Sequence, residues 1–335
     1  MGLMDFRPLV RVTIDGIPIS GFVFSQISSV RVTDAAGFIS DTAEVTFSNV
    51  SALSRFAMPE PGAEVEIALG YLLGFRKMGV FIADEIEEGS PPRSITAVCR
   101  AKAQGLSSGG MGAINQQKTR SWEAGLTLKS LAATIAENNG LKPAITDAAA
   151  TIVPGHIDQI DESDISVLTR IALAHDLIAK PAGGRLFLGR RADAVTASGQ
   201  PMPTTILREA EVSRWRMRRS FGEAVGSVIA TYRDLEQAKD IEVKVGEGEP
   251  VRRLRERYRD EAEARTAADA ESRRASRAVE ALEIEMPGNA GIVAESKVVP
   301  VNFSSAAAGE WVVETATHEV SEAGYKTMIQ AQRPE

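Results

Sequence analysis

The sequence predicts an α+β fold that is mostly β, with two antiparallel β regions flanking a small α+β unit. Three observations predict it. Apolar and polar residues alternate in short runs over residues 8–104, the pattern of half-buried strands. Residues 118–192 change to helical spacing. Alternation then returns over residues 193–335.

In the front region, "PLVRVTIDGIPI" alternates, and Asp15-Gly16 supplies a hairpin turn. "ISSVRVTD", "DTAEVTFSN", "AEVEIALGY", "KMGVFIADEIEE" and "RSITAVCRA" follow. Roughly six short strands separated by Gly, Pro or Asp suggest a small antiparallel barrel or sandwich. "GLSSGGMGAINQQ", residues 105–117, is Gly/Ser-rich and reads as a linker. In "TLKSLAATIAENNGLKP", Leu128, Leu131, Ala132 and Ile135 share one helical face; Thr127 caps the start, and Asn139-Gly140 stops it before Pro143. A second helix is expected from near Ser163, followed by a hairpin through Gly183-Gly184 in "AKPAGGRLFLGR".

After the loop "TASGQPMPTT", the runs "EVSRWRMRRS", "EAVGSVIATYRD" and "KDIEVKVGEG" alternate. A charged helix is expected at about 258–281, and the chain closes on two strands turning at Ala323-Gly324. The expected division is therefore 1–104, a linker at 105–117, 118–192, and 193–335.

Composition narrows the function. With 335 residues, 44% of them hydrophobic, the chain can build two or three ordinary cores. Aromatics make up only 5%, so those cores rest on Val, Ile, Leu and Ala. A net charge of -7 gives no global attraction to nucleic acid or anionic membrane. The single cysteine, Cys99, excludes an internal disulfide and any CxxC metal site, and its alternating run places it in a core. No segment reads as a signal peptide, and no membrane anchor is expected.

The chemical motifs fail one by one. "HIDQIDESDISVLTRIALAHDL" (156–177) gathers Asp158, Asp161, Glu162 and Asp164. A calcium loop starting at Asp158 would put Ile160 at position three and Ser163 at position six, where an oxygen ligand and glycine belong. The acids instead suit a helix start, with Asp161 or Ser163 as cap and Asp164 in the first turn. His156, His175 and His318 form no HxxxH pair. "GLSSG" (105–109) matches a hydrolase elbow formally but is followed by a poor helix, and no phosphate-binding loop occurs. No catalytic, cofactor-binding or metal-binding residue is expected, and the protein reads as no enzyme.

The arginines are denser than solubility needs. "RWRMRRS" puts Arg214, Arg216 and Arg218 on one strand face, with Trp215 and Met217 on the other. Residues 214–277 hold 16 Lys and Arg against 13 Asp and Glu, so the region reads as a solvated or subunit-facing surface rather than a nucleic-acid groove. The alanine-rich helix that follows suits packing on a flat partner.

Three segments resemble the late control D proteins of tailed phages, which are hub components of contractile tails. They are "TRSWEAGLTLKSLAATIAENNGLKP" (119–143), "HIDQIDESDISVLTRIALAHDL" with "GGRLFLGR" (183–190), and "GEWVVETATHEVSEAGYKTMIQA" (309–331). Such hubs are similar to the N-terminal parts of type VI secretion spike proteins. The resemblance implies that both β regions are barrels like tail-tube subunits, and that a homotrimer makes a ring of six such barrels. That ring would join a six-fold tail tube protein to a three-fold central spike protein, beside other baseplate proteins. Its lumen would pass DNA or the tape-measure protein. The implied place is the virion tail baseplate, or an extracellular contractile particle, assembled in the host cytoplasm. The family implies no cofactors and no catalytic residues.

Two rival readings remain. "TLKSLAATIAENNGL" also resembles the first helix of small peptidoglycan-binding LysM domains, which points to a cell-wall-binding or cell-wall-degrading tail module. The arginine strand could alternatively bind nucleic acid.

Overall fold

In the computed structural model, which describes residues 7–19, 25–37, 41–48, 59–91, 93–102, 113–182, 184–191, 200–220 and 224–334, the front region begins with a tight hairpin. Asp15 and Gly16 both take positive φ, 46° and 79°, as the turn between β1 (Leu9–Ile14) and β2 (Ile17–Pro18) requires. β3 (Ile27–Ala35), β4 (Thr42–Ser48), β5 (Glu64–Gly70), β6 (Arg76–Gly89) and β7 (Ser94–Ala101) complete the unit. Their inward residues, among them Val12, Val30, Val45, Phe47, Ile67, Phe81 and Cys99, form one buried cluster.

The middle unit starts with a 3-10 turn (Ala113–Asn115) and β8 (Gln117–Trp122). Helix α1 (Leu128–Asn138) follows, with Thr127 Oγ1 accepting from the Ser130 N–H as its cap. Next come β9 (Lys142–Ile145), the single turn α2 (Asp147–Ala150), β10 (Ile157–Ser163), α3 (Asp164–Ala174), β11 (Leu177–Ala182) and β12 (Arg185–Arg190). β8 pairs with β10, and β12 pairs antiparallel with β11 and parallel with β9. Leu128, Leu131, Ile135, Leu168 and Leu186 are at the centre of its core.

The rear region runs β13 (Thr204–Arg208), β14 (Arg214–Arg219), β15 (Ser227–Asp234), β16 (Lys239–Gly246), β17 (Val251–Tyr258), α4 (Glu261–Ala278), β18 (Glu280–Pro287), β19 (Lys297–Val301), β20 (Trp311–Ser321) and β21 (Gly324–Gln332). The closing turn is at Glu322 and Ala323, one residue earlier than expected, because Gly324 pairs directly with Ser321. β15, β16 and β17 form their own sheet, with Ala264 and Ala268 of α4 packed on Val228, Ala230 and Val243. The flat partner of the alanine helix is thus this chain's own sheet. Among the described residues no helix is long and apolar enough to cross a membrane.

The front and rear regions share a topology. Numbering the six main strands of each in chain order (β1, β3, β4, β5, β6, β7 and β13, β14, β18, β19, β20, β21), both sheets run 2-3-6-5-4-1. The agreement extends to detail. The fifth strand of each carries a bulge against the sixth, between Ala83 and Glu85 in front and between Val313 and Thr315 behind. Just before each bulge, Ala83 and Val313 make matching backbone bonds, Ala83 N to Ala63 O (2.9 Å) and Val313 N to Ser296 O (2.9 Å). One relation differs: β1 joins β5 antiparallel, whereas β13 joins β19 parallel.

The two regions also share one sheet. Beyond its bulge, β20 leaves β19 and pairs antiparallel with β3, from Thr315↔Ala35 to Ser321↔Ser29. A bulge bends its strand and raises its twist, which lets one strand serve two neighbours.

Candidate functional site

The acidic stretch becomes a structural knot. Ser163 Oγ caps α3 by accepting from the Ser166 N–H, and Asp164 is wholly buried behind it. Its carboxylate accepts from Lys118 Nζ (2.5 Å), Arg120 (2.6 Å), Asn139 Nδ2 (2.8 Å) and Gln159 Nε2 (2.9 Å). Burial alone would raise its pKa; Gln159, Lys118, Asn139 and Arg120 outweigh that and hold it below the ordinary range. Arg120 also stacks on Trp122. The knot ties α1, α3, β8 and β10 together. Asp158, Asp161 and Glu162 lie before the helix in β10, where Ser121, Thr119 and Arg170 bind their side chains.

The histidines are dispersed. His156 pairs with Asp158 at 3.0 Å on the surface, and His175 ends α3, its pKa lowered by burial. His318 is fully buried in β20. Its Nε2 donates to Ile292 O (3.0 Å), so Nδ1 accepts from the Tyr325 and Thr327 hydroxyls (3.0 and 3.1 Å). Burial lowers its pKa and keeps the ring neutral. Cys99 is buried and its thiol is pushed up to about 12, mainly by burial. No group of three or more His, Cys, Asp or Glu among the described residues could hold a metal ion. The "GLSSG" segment lies outside the described residues.

A cleft of about 860 Å³ opens between the end of α3 and the β17–α4 corner, lined in part by His175, Arg170, Tyr258 and Glu263. On its α4 wall, Arg274 and Glu271 pair one turn apart at 2.9 Å. It presents no buried nucleophile beside a base.

The most organised polar surface is the β3–β20 seam and the contacts around it. Arg31 reaches Glu319 across the seam at 3.1 Å and Glu44 on its other side at 3.3 Å. Thr33 and Thr317 hydroxyls meet at 3.3 Å. Lys180 of β11 donates to Asp41 (2.6 Å), Asp34 (3.2 Å) and Ala35 O (2.7 Å), clamping the middle unit to the seam. Burial, with Asp34 beside it, pushes the Asp41 carboxyl up to about 6. Burial works against the Lys180 charge, but Asp34 and Asp41 raise its pKa overall.

The arginine strand, β14, is the far edge of the sheet. Arg214, Arg216 and Arg218 are exposed, and Trp215 and Met217 pack inward. Trp215 meets Phe303 in a tilted ring contact, centroids 5.2 Å apart. Sequence spacing identified this face; it carried no sign of which strand lies opposite.

Along 97% of its length the chain is 24% identical to the probable baseplate hub protein of Escherichia phage 186, covering 93% of that protein. The chain is similar to the phage baseplate hub proteins. No family model matches the sequence. The chain shares its fold with the 43 kDa tail protein of prophage MuSo2 from Shewanella oneidensis (TM-score 0.72, 16% identity, 97% of this chain and 98% of that one). A component of the Escherichia coli type VI secretion system is similar at TM-score 0.59 and 8% identity, over 96% of this chain and 76% of that one.

Proposed function

We propose that this protein is a structural baseplate hub of a contractile phage tail, or of a related injection device, located in the tail baseplate. Three copies form a ring that adapts the six-fold tail tube to the three-fold spike and surrounds the lumen. The observation that carries this reading is the common 2-3-6-5-4-1 strand order of the front and rear units.

The reason is symmetry. A cyclic trimer offers each partner only three equivalent places. Three copies of a chain with two similar β units offer six near-equivalent docking surfaces to the tube, while the trimer as a whole still presents three to the spike. Residues 1–104 and 193–335 are the two tube-like barrel domains in this reading. The 118–192 unit sits between them as a bracket held by Lys180.

The test is the mass of the purified full-length chain by light scattering, together with image classes in complex with its spike. The expected result is a three-fold ring with six similar lobes. A monomer that joins neither tube nor spike protein refutes the reading. Retention on purified peptidoglycan, with no ring, would favour the cell-wall module instead.

A further inference from the structure

The two β units are joined inside the chain by a seam, and each unit also has the half of that seam the other one uses. In the seam, the second strand of the front unit (β3) meets the outer half of the fifth strand of the rear unit (β20). The counterparts are β14, the second strand behind, and the outer half of β6, the fifth strand in front. Among the described residues, β14 pairs with β18 and no other strand, and residues 85–89 of β6 pair only with β7. β14 cannot reach β6 of its own chain without abandoning the sheet that separates them.

We propose that β14 of one copy pairs antiparallel with residues 85–89 of β6 in the next copy, repeating the internal seam between subunits. This rests on the hub reading and names the surface through which that ring closes. Superposing the ladders sets Thr33 on Arg218, Val32 on Met217, Thr317 on Glu87 and His318 on Glu88. Carrying the internal register across places Glu87 opposite Arg218, Ile86 opposite Arg219 and Gly89 opposite Arg216.

Charge supports the match independently. β14 reads "RWRMRR", whereas residues 84–89 read "DEIEEG". Arg216 and Arg218 are exposed on one side of β14; Glu85 and Glu87 are exposed on the corresponding side of β6. The internal seam places an arginine and a glutamate, Arg31 and Glu319, across from one another in the same way. Charged edges discourage indiscriminate strand addition, and opposite charges on two edges allow the one pairing that is wanted. The contact is heterologous, so it must either close or grow.

The register makes a sharp test possible. Ala36 N donates to Glu314 O, which makes the Thr33–Thr317 position a non-hydrogen-bonded pair, with Cα atoms about 4.5 Å apart and within disulfide reach. Glu87→Cys with Arg218→Cys should therefore cross-link copies on mild oxidation, while buried Cys99 stays out of the reaction. The expected result is covalent dimers and trimers, and nothing larger. Arg218→Glu should shift full-length protein from trimer to monomer, and adding Glu87→Arg should restore the trimer; circular dichroism confirms that each variant is folded. A trimer that charge reversal leaves intact and the cysteine pair fails to link overturns the seam and leaves the hub reading standing. A wild-type chain that stays monomeric at every concentration overturns both. Covalent ladders that run past three copies overturn ring closure.

Discussion

The front and rear units follow one strand order with different contents. In front, Ala43 and Ala97 stand where the larger Leu282 and Ile329 stand behind, while Cys99 takes the place of the smaller Ala331. The fifth strands differ most. Behind, β20 is sealed against β3, and its His318 is buried and fully bonded. In front, the matching Glu88 is exposed. Topology is thus held in common, and each edge is specialised for the environment it meets.

The largest expected effect compares the equivalent aromatics Phe81 and Trp311, both buried. Each change to Ala should cost roughly 3–5 kcal/mol in urea denaturation. Trp311→Ala should sit at the upper end, because it also loses the Nε1 bond to Ala307 O and the stacked Arg333. Equal or reversed costs would show that the Ala307 bond and the Arg333 contact add nothing to the rear core.

Exchanging the seam residues comes next. His318→Glu buries a carboxylate where the ring now donates to a carbonyl, and should cost roughly 3 kcal/mol in the same assay. Glu88→His, on the exposed counterpart, should stay within about 0.5 kcal/mol in the isolated chain.

Acidity separates two groups near the internal seam. Asp41 is raised from 3.8 to about 6, so its contribution is full at acid pH and lost as pH rises through 6; the whole effect is at most about 3 kcal/mol. His318 is lowered, so its contribution is full above its ordinary 6.5 and lost as pH falls below it. Thermal melts from pH 4 to 8 should therefore move in opposite directions on replacing them. Asp41→Asn removes the loss on the alkaline side, and His318→Gln removes the loss on the acid side.

The smallest effect is the surface pair across the seam. Arg31 is about half exposed (47%), and a double-mutant cycle with Glu319 should give roughly 0.2–1 kcal/mol. A much larger coupling would mean that the seam is held by its charges rather than by its ladder.

Much of the fold was legible in one dimension because it is local. Helices α1 and α3 announce their faces and caps, and the hairpin at Asp15-Gly16 announces its turn. The polar strands were missed. β8 ("QKTRSW") and β17 ("VRRLRERY") are dominated by charge: β8 turns Lys118 and Arg120 onto buried Asp164, and Arg252, Arg253 and Arg257 of β17 reach Glu271, Glu242 and Asp240. Asp164 is the first-turn acid that the sequence predicts, but nothing nearby in sequence foretells Lys118 and Arg120 arriving from 40-odd residues away. The common strand order was illegible for the same reason: it depends on pairings between distant segments. The Arg214–Arg218 face was visible, and its complement at Asp84–Glu88 stood in plain text but on a strand with no evident link to it.

The bulge in each fifth strand has a consequence for engineering. It inserts one extra outward residue, Asp84 or Glu314, and leaves the inward–outward order of the flanking side chains untouched. Deleting Glu314 would therefore keep every side chain on its own face while straightening the ribbon. The strand would then have to follow a single neighbour throughout, and the polypeptide's two halves would come unstitched with no loss of core.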